Sequence, residues 1–344
     1  MSASLDYALS RVFDDKEGVF KMTSDRKRVR LFHSRTHAHE VLKGINVSEK
    51  TFVITGTTSG IGVDTAEVLA LAGAHVVFIN RNLKESENQK SRILEKKPDA
   101  KIDIIQCDLS DLRSVRRAGE EYVARKWPIH GLILNAGVFR PAVLKTKDGF
   151  ESHFGVNVVA HFALLRVLLP VVRRSAPSRI VILSSTLSTR VGFKKSMNLE
   201  QKLRLLCGED PSSSALQKYG ASKLADMHLA FKLHRDEQKN GISTYSVHPG
   251  DAVRTDIFRN SPAGKVLSFL TTPFTKNSSQ GAATTVYCAT HPEVKEISGR
   301  YWESCWDDEL RIDKEAARDV ELQEELWKKL EGIDDRINGK IEHL

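Results

Sequence analysis

The sequence predicts an α/β protein built on one doubly wound parallel sheet. Between about residues 51 and 304, short apolar segments rich in Val and Ile alternate with longer amphipathic segments. The short segments are almost continuously apolar, which is typical of strands buried on both faces of a parallel sheet. Strands that alternate with helices in this way, without an internal repeat, indicate a doubly wound sheet in a single domain.

Each element follows from the same reasoning, in chain order. The predicted strands are 51–56, 74–80, 101–108, 130–137, 178–185, 242–250 and 299–304, and the predicted helices are 62–73, 83–97, 112–126, about 154–172, 219–238 and 279–289. Residues 154–172 form the most apolar stretch, but Asn157, His161 and Arg166 interrupt it. It therefore reads as a buried helix and not as a membrane span.

Two appendages flank the predicted sheet domain at 48–305. Residues 1–47 form a basic arm, with six basic residues and one acid between Lys21 and Arg35. Residues 306–344 are acidic, and Leu322, Leu326, Leu330, Ile333 and Ile337 recur at helical spacing. We expect one amphipathic helix that docks on the body, with docking on a partner as the alternative.

Composition excludes several classes of protein. The net charge of +8 suits an anionic cofactor, but the charges are dispersed and no nucleic-acid-binding motif occurs. Four isolated cysteines and no His cluster predict neither disulfides nor a metal site. The acidic N-terminal residues do not resemble a signal peptide, so a cytoplasmic location follows, with peripheral contact to a membrane or lipid droplet left open.

A glycine-rich turn is the first candidate site. The segment TGTTSGIG, Thr55 to Gly62, follows a strand and opens a helix. In this context Gly56 permits a tight turn, and Ser59, Gly60, Ile61 and Gly62 bring backbone N–H groups toward a pyrophosphate.

The end of the second strand indicates which dinucleotide binds. A carboxylate commonly occupies this position in NAD-binding folds, where it bonds the ribose 2′-hydroxyl. Here the strand ends Asn80-Arg81, and Arg81 can pair with a 2′-phosphate. The sequence therefore predicts NADP(H). Weaker cofactor contacts are predicted where other strands end, at Asp108, Leu109, Asn135, Ala136, Gly137, Pro249, Gly250 and Thr255.

The segment Tyr219-Gly-Ala-Ser-Lys223 carries the predicted chemistry. Residues four apart share one face of a helix, so the Lys223 ammonium should favour the Tyr219 phenolate. That would move the phenol toward the range useful for proton transfer. Ser185 could steady a developing alkoxide, with Ser184 and Ser188 as alternatives, and Asn157 could hold a water beside Lys223.

These motifs together resemble those of the short-chain dehydrogenase/reductase family over about residues 45–305. The resemblance implies a Rossmann-type seven-stranded sheet, a dimer or tetramer, and a catalytic group of Asn157, Ser185, Tyr219 and Lys223. The phrases SAPSRIVILSS and PFTKNSSQGAATTVYCA are similar to the retinol dehydrogenase branch. That branch includes proteins with WW domains, although residues 1–47 lack the paired tryptophans of such a domain.

The resulting expectation is an oxidoreductase, most simply a homodimer, that interconverts a carbonyl and an alcohol on an apolar substrate. The resemblance implies a retinoid, a steroid or a lipid aldehyde. The apolar run Val266 to Phe274 could cover such a substrate, touch a lipid surface or belong to the core. The alternative function is a nucleotide-binding scaffold or regulator with little turnover.

Overall fold

One eight-stranded sheet forms the centre of the protein. The structure, a computed structural model, describes residues 30–250 and 276–342, with strands in the order β3-β2-β1-β4-β5-β6-β7-β8. The strands are β1 Thr51–Thr55, β2 His75–Asn80, β3 Ile102–Gln106, β4 Gly131–Leu134, β5 Ser178–Leu183, β6 Ile242–His248, β7 Arg300–Glu303 and β8 Trp306–Asp307. The first seven are parallel, which confirms the predicted doubly wound sheet.

The eighth strand is the one departure from the seven that were predicted. β8 runs antiparallel to β7, and Glu303 pairs with Trp306 across a two-residue turn. Ser304 and Cys305 both adopt positive φ angles, of 52° and 57°. Such turns usually contain Asn-Gly or Gly-Gly, so Ser-Cys gives no hairpin signal in the sequence. A two-residue strand also has too few positions to show a hydrophobic pattern.

Helices cover both faces of the sheet. The helices are α1 Ala38–Val41, α2 Ile61–Leu71, α3 Leu83–Lys96, α4 Leu112–Ala124, α5 Ser152–Phe154, α6 Ala160–Arg174, α7 Leu199–Leu206, α8 Ala215–Glu237, α9 Ser278–Thr290, α10 Lys314–Ala317 and α11 Val320–Glu342. One hydrophobic core holds residues of α4, α6, α8 and α11, and the other holds residues of α1, α2 and α9. The interior strands β1, β2, β4, β5 and β6 therefore bury side chains on both faces.

The described part of the N-terminal arm packs on the second core. Ala38 and Val41 of α1 are buried there, as are Leu42 and Val47. The segment that reaches β1 is therefore held by apolar contacts, although it was predicted to be part of the basic arm. The division of the chain at residues 47 and 305 stays a prediction.

Helix α11 lies over α8 and beside α4 and α7. Leu322, Leu326 and Leu330 are fully buried, and Ile333 is almost so. The Trp327 ring meets the Phe162 ring edge-on at 4.9 Å. The apolar stripe that was predicted for this segment therefore packs on the chain's own body.

A π-helical turn, Gly155–Val159, connects α5 to α6. The combined helical segment Ser152–Arg174 is long and apolar enough to cross a membrane by length and composition, but most of it is buried inside the fold. This burial agrees with the predicted core helix. π-Helical turns often occur at functional positions, and this one contains Asn157.

Candidate active site

The glycine-rich turn connects β1 to α2. It lies at the point between β1 and β4 where the order of the strands in the sheet reverses. Gly56 has a φ of +74°, and its N–H donates to the Ile79 carbonyl at 3.1 Å. Gly60 is the N-cap residue of α2 and provides no side-chain cap, and Ser59 just before it is exposed. The N–H groups at this helix end are therefore not covered by a capping side chain.

Gly62 brings α2 against the turn. A Cβ at this position would collide with the Gly56 carbonyl and come within 2.6 Å of the Asn135 amide. The helix can approach the β1–β4 edge this closely only because residue 62 has no side chain. Ile61, the first residue of α2, is partly exposed beside it. The turn thus has the close backbone packing that a pyrophosphate cradle needs.

Asn80 holds the turn in place, a role that the sequence analysis did not identify. Its buried amide accepts a bond from the Thr57 N–H at 2.8 Å and donates to the Thr57 hydroxyl at 2.7 Å. It also donates to Ser86 at 2.9 Å. The signal in the sequence for this role was an amide side chain at the end of a strand that is otherwise apolar.

A cavity of about 260 Å³ lies at the carboxyl ends of β2 and β3. It is lined by Arg81, Gln106, Asp108, Asp111, Ser114, Arg117 and Lys147. Lys147 lies 3.1 Å from Asp108 and 3.3 Å from Asp111. Arg81 and Arg117, in contrast, are exposed and form no ion pair with any residue that the structure describes. The cavity therefore presents two cations available to an anion.

The loop after β3 supplies one wall of this cavity. Asp108 accepts bonds from the Ser110 N–H and hydroxyl at 3.0 and 2.8 Å, and Leu109 packs partly on the core. Partial burial acts to raise the pKa of Asp108, but the bonds from Ser110 and Lys147 outweigh it and lower that pKa. The Asp108 carboxyl is therefore ionised, and its oxygens already accept hydrogen bonds from neighbouring donors.

The segment Asn135–Gly137 joins the ends of β4 and β1. The Asn135 amide donates to the Thr55 and Gly56 carbonyls at 2.9 and 3.0 Å. The N–H groups of Asn135 and Ala136 both donate to the Thr55 hydroxyl at 3.0 Å. These groups are thus used to fix the site's backbone, while exposed Gly137 faces Asn157 and Lys223.

Tyr219 and Lys223 lie one turn apart on α8, and Lys223 Nζ is 5.9 Å from the phenol ring centre. The Ser185 hydroxyl accepts a bond from the Leu187 N–H at 3.2 Å and lies close enough to Tyr219 to act to lower the pKa of the phenol. Ser184 instead donates to the Lys223 carbonyl at 2.7 Å. Of the alternatives considered from the sequence, Ser185 is the one that the structure brings to the phenol.

The surroundings of Tyr219 alter its acidity. Phe139 meets its ring edge-on at 4.9 Å, and only 8% of the residue is exposed. Burial raises the pKa of Tyr219, and although Lys223 and Ser185 act to lower it, the net pKa stays above the usual value. Lys223 thus has the predicted effect on the phenol but does not outweigh burial.

Asn157 is held from several directions. Its side chain accepts from the Val138 N–H at 2.8 Å and donates to the Ser222 hydroxyl at 2.9 Å. Its carbonyl lies 2.9 Å from Nδ1 of His161. The water that was predicted beside Asn157 and Lys223 stays a prediction.

His161 links these elements, although no motif in the sequence assigns it a role. Its Nε2 lies 3.0 Å from the Thr55 hydroxyl. Burial and, to a smaller extent, Lys223 lower the pKa of His161 to about 3. The ring is therefore neutral. Its Nδ1–H donates to Asn157, and its Nε2 accepts from Thr55, whose oxygen already receives two N–H groups.

Lys223 is held by two buried acceptors. Its ammonium donates to the Leu183 carbonyl and to Asp226, both at 2.8 Å. Asp226 was not identified from the sequence, although its position three residues after Lys223 on a helix was the available signal.

The loop after β6 completes the described site. His248 is buried at the end of β6, Pro249 is partly exposed, and Gly250 has a φ of +105°. Lys276 packs so closely on Gly250 that a Cβ there would overlap its side chain. Thr255 and the run Val266 to Phe274 lie outside the described residues.

Comparisons with known proteins identify the family of the chain. A family model described as short chain dehydrogenase matches residues 50–197. The WW domain-containing oxidoreductase of Gallus gallus is 38% identical over 274 residues, which are 80% of this chain and 66% of the relative's length. Retinol dehydrogenase 12 of Mus musculus is 36% identical over 82% of this chain and 85% of its own.

A solved structure shares the fold. The NADPH complex of a blue fluorescent protein from a metagenomic library gives a TM-score of 0.57 at 24% identity, and the match covers 74% of this chain and 96% of that one. The doubly wound sheet with its glycine-rich turn defines the class of dinucleotide-binding α/β oxidoreductases. Within that class, the chain belongs to the short-chain dehydrogenase/reductase family.

Proposed function

We propose that the protein is an NADP(H)-dependent oxidoreductase that interconverts a carbonyl and an alcohol on an apolar substrate. The observation that carries this proposal is the meeting of Tyr219, Lys223, Ser185 and Asn157 beside the glycine-rich turn. Ser185 and Lys223 both act to lower the pKa of the Tyr219 phenol, and Lys223 lies one helical turn from it. Asn157 reaches the same helix through Ser222.

The residues around the turn fit a bound dinucleotide. Gly62 leaves the space that a Cβ would fill, and the start of α2 carries no side-chain cap. NADP(H), when bound, supplies or accepts a hydride. Tyr219 then donates a proton to the carbonyl oxygen or accepts one from the alcohol. Ser185 donates a hydrogen bond to that oxygen, and Lys223 holds positive charge beside the phenol.

The preference for NADP(H) over NAD(H) rests on the two arginines of the β2–β3 cavity. A 2′-phosphate carries up to two negative charges and three acceptor oxygens, which suit the guanidinium groups of Arg81 and Arg117. The end of β2 offers no carboxylate to repel it, since Asn80 stands there. The NADPH complex with the same fold supports this choice.

The apolar substrate is supported by the loop over the site. Phe139 lies on Tyr219, and farther along the same loop Val143 and Leu144 are 70% and 73% exposed. Exposed apolar side chains beside a site suit an apolar ligand or a lipid surface. We propose retinoids, steroid ketones and lipid aldehydes as substrates, as the relation to retinol dehydrogenase 12 also suggests. The homodimer and the cytoplasmic or membrane-peripheral location stay predictions.

The test is a spectrophotometric assay with NADPH or NADH and a panel of retinal, steroid ketones and medium-chain aldehydes. We expect turnover with NADPH, and a loss of about 10²- to 10⁴-fold in Tyr219→Phe, because the phenyl ring cannot transfer a proton. The variant should still bind NADPH. Tight NADPH binding without turnover on any substrate would favour the nucleotide-binding scaffold instead.

A further inference from the structure

A buried carboxylate stands beside the lysine of the proposed site. Asp226 Oδ2 lies 2.8 Å from Lys223 Nζ, and the two side chains are 1% and 5% exposed. The other carboxylate oxygen, Oδ1, has no hydrogen-bond partner among the residues that the structure describes. Burying such an ion pair carries a large free-energy penalty of desolvation, so the pair contributes little to the stability of the fold. It is therefore unlike the exposed pairs elsewhere on the surface.

Few other charges face this ammonium in the described part of the chain. On α8 it faces Tyr219 and Asp226, and on α6 it faces His161. The His161 ring is neutral, because burial lowers its pKa to about 3. The Asn157 amide beside Gly137 carries no charge. The Tyr219 ring itself also faces the buried His153 ring of α5 at 6.1 Å, and His153 contacts Glu151 at 2.7 Å. The charges that shift the pKa of Tyr219 are the Lys223 ammonium and the Asp226 carboxylate.

We propose that Asp226 is a positioning residue that anchors the Lys223 ammonium and cancels part of its charge, so that Tyr219 remains a protonated phenol and the site favours carbonyl reduction. The anchoring is direct, through the 2.8 Å bond that turns Nζ toward β5 and α8. The preference for reduction rests on the proposed function, whereas the charge coupling between Asp226 and Tyr219 does not.

The chemistry follows from the protonation state of Tyr219. In reduction, hydride adds to the carbonyl carbon, the C=O electron pair moves to oxygen, and the phenol O–H bond breaks to protonate that oxygen. NADPH is oxidised to NADP⁺, and the phenolate regains a proton from solvent. A site that keeps the phenol protonated is ready for this direction, whereas oxidation of an alcohol needs the phenolate as base.

The direction of the coupling is set by charge. An ionised Asp226 raises the pKa of Tyr219, since a nearby negative charge disfavours the phenolate. Burial raises the pKa of Asp226 itself to about 6. Above that pH the carboxylate is ionised and the coupling is present, and as pH falls through about 6 the carboxyl is protonated and the coupling is lost.

The test compares the wild type with Asp226→Asn, an isosteric change that removes the charge. Tyrosine labelled at the ζ carbon reports phenol ionisation by NMR, and Tyr219→Phe identifies the signal. We expect the pKa of Tyr219 to fall by about one unit or more in Asp226→Asn, with and without NADP⁺. Met227→Leu, a buried neighbour on the same helix, should leave it unchanged.

A Tyr219 signal that titrates at the same pH in both proteins, or in neither, would overturn the proposal. If Asp226→Asn does not fold, Asp226→Ser removes the same charge with a smaller side chain. In the reduction assay, the loss of rate at high pH should begin about one unit lower in the variant, because the phenol ionises sooner. The NMR titration needs no turnover, so failure of the proposed activity and failure of this coupling are distinguishable.

Discussion

At the scale of single residues, the proposed cofactor preference depends on two side chains from different elements. Arg81 follows β2, and Arg117 lies on α4, yet both line one cavity without an ion-pair partner in the described part of the chain. Lys147, the third cation there, is already paired with Asp108 and Asp111. Removal of Arg81 or Arg117 should therefore weaken the binding of a phosphate group in this cavity.

We expect Arg81→Ala and Arg117→Ala each to weaken NADPH binding about 10- to 100-fold, because a hydrogen bond to a charged group contributes roughly 1.5–3 kcal/mol. NADH binding should change little, since that cofactor lacks the 2′-phosphate. Isothermal titration with both cofactors measures this difference. Arg125→Ala, at the far end of α4, is the matched control. An equal loss for both cofactors would contradict the role given to these arginines.

Several residues at this scale could not be found from the sequence alone. Tyr219, Lys223 and Arg81 belong to short sequence motifs. Their positions on one helix face or at a strand end could therefore be predicted from residue spacing. Arg117 and His161 meet the site only because separate elements converge there. Asp226 is local, but its spacing does not reveal that it is buried or that Lys223 turns toward it.

At the scale of elements, the turn between β1 and α2 gives the sharpest test of the cofactor site. We expect Gly62→Ala to weaken NADPH binding strongly, because its Cβ would push α2 away from the Gly56 carbonyl. Alanine normally favours a helix over glycine by about 1 kcal/mol, so any loss reflects the close packing. NADPH titration and thermal unfolding separate the two effects.

Gly332→Ala in α11 is the control for this change, since a Cβ there meets no atom within 4 Å. It should leave binding unchanged and stabilise the protein slightly. If Gly62→Ala bound NADPH as the wild type does, the turn would not be a phosphate cradle.

The strands were predictable where they are buried over their whole length, because such strands have long runs of apolar residues. Residues 75–80 and 178–183 are nearly continuous apolar runs between polar segments, and both form interior strands of the sheet. Helix α7 and strand β8 were missed. Strand β8 depends on a turn of two non-glycine residues with positive φ, and this conformation cannot be predicted from residue type.

At the scale of the whole molecule, buried histidines make stability depend on pH. Burial lowers the pKa of His161 to about 3 and that of His228 to about 4. In the unfolded chain both would titrate near pH 6.5. The unfolded state therefore binds more protons below that pH, and the contribution of these groups is lost as pH falls from 6.5 toward 4.

We expect the free energy of unfolding to fall over this range, measured by urea unfolding at a series of pH values. Asp226, whose pKa burial raises to about 6, and Asp334, whose pKa burial also raises, act in the opposite sense. His130 and His234, whose pKa burial lowers, add to the effect of the two buried histidines. His228→Gln should reduce the slope, because an amide can still donate to the Ala316 carbonyl without titrating. His39→Gln, at an exposed position, should not. A slope unchanged in His228→Gln would contradict this origin.

Helix α11 has a further consequence for how the chain reaches this fold. Leu322, Leu326 and Leu330 fill the hydrophobic core that α4 and α8 begin, and Glu324 pairs with Lys232 and Arg235 of α8. During synthesis on a ribosome, every element of the sheet emerges before this helix does. The apolar surface beneath it thus stays open to water throughout that time, and the nascent chain is most exposed to aggregation just before α11 appears.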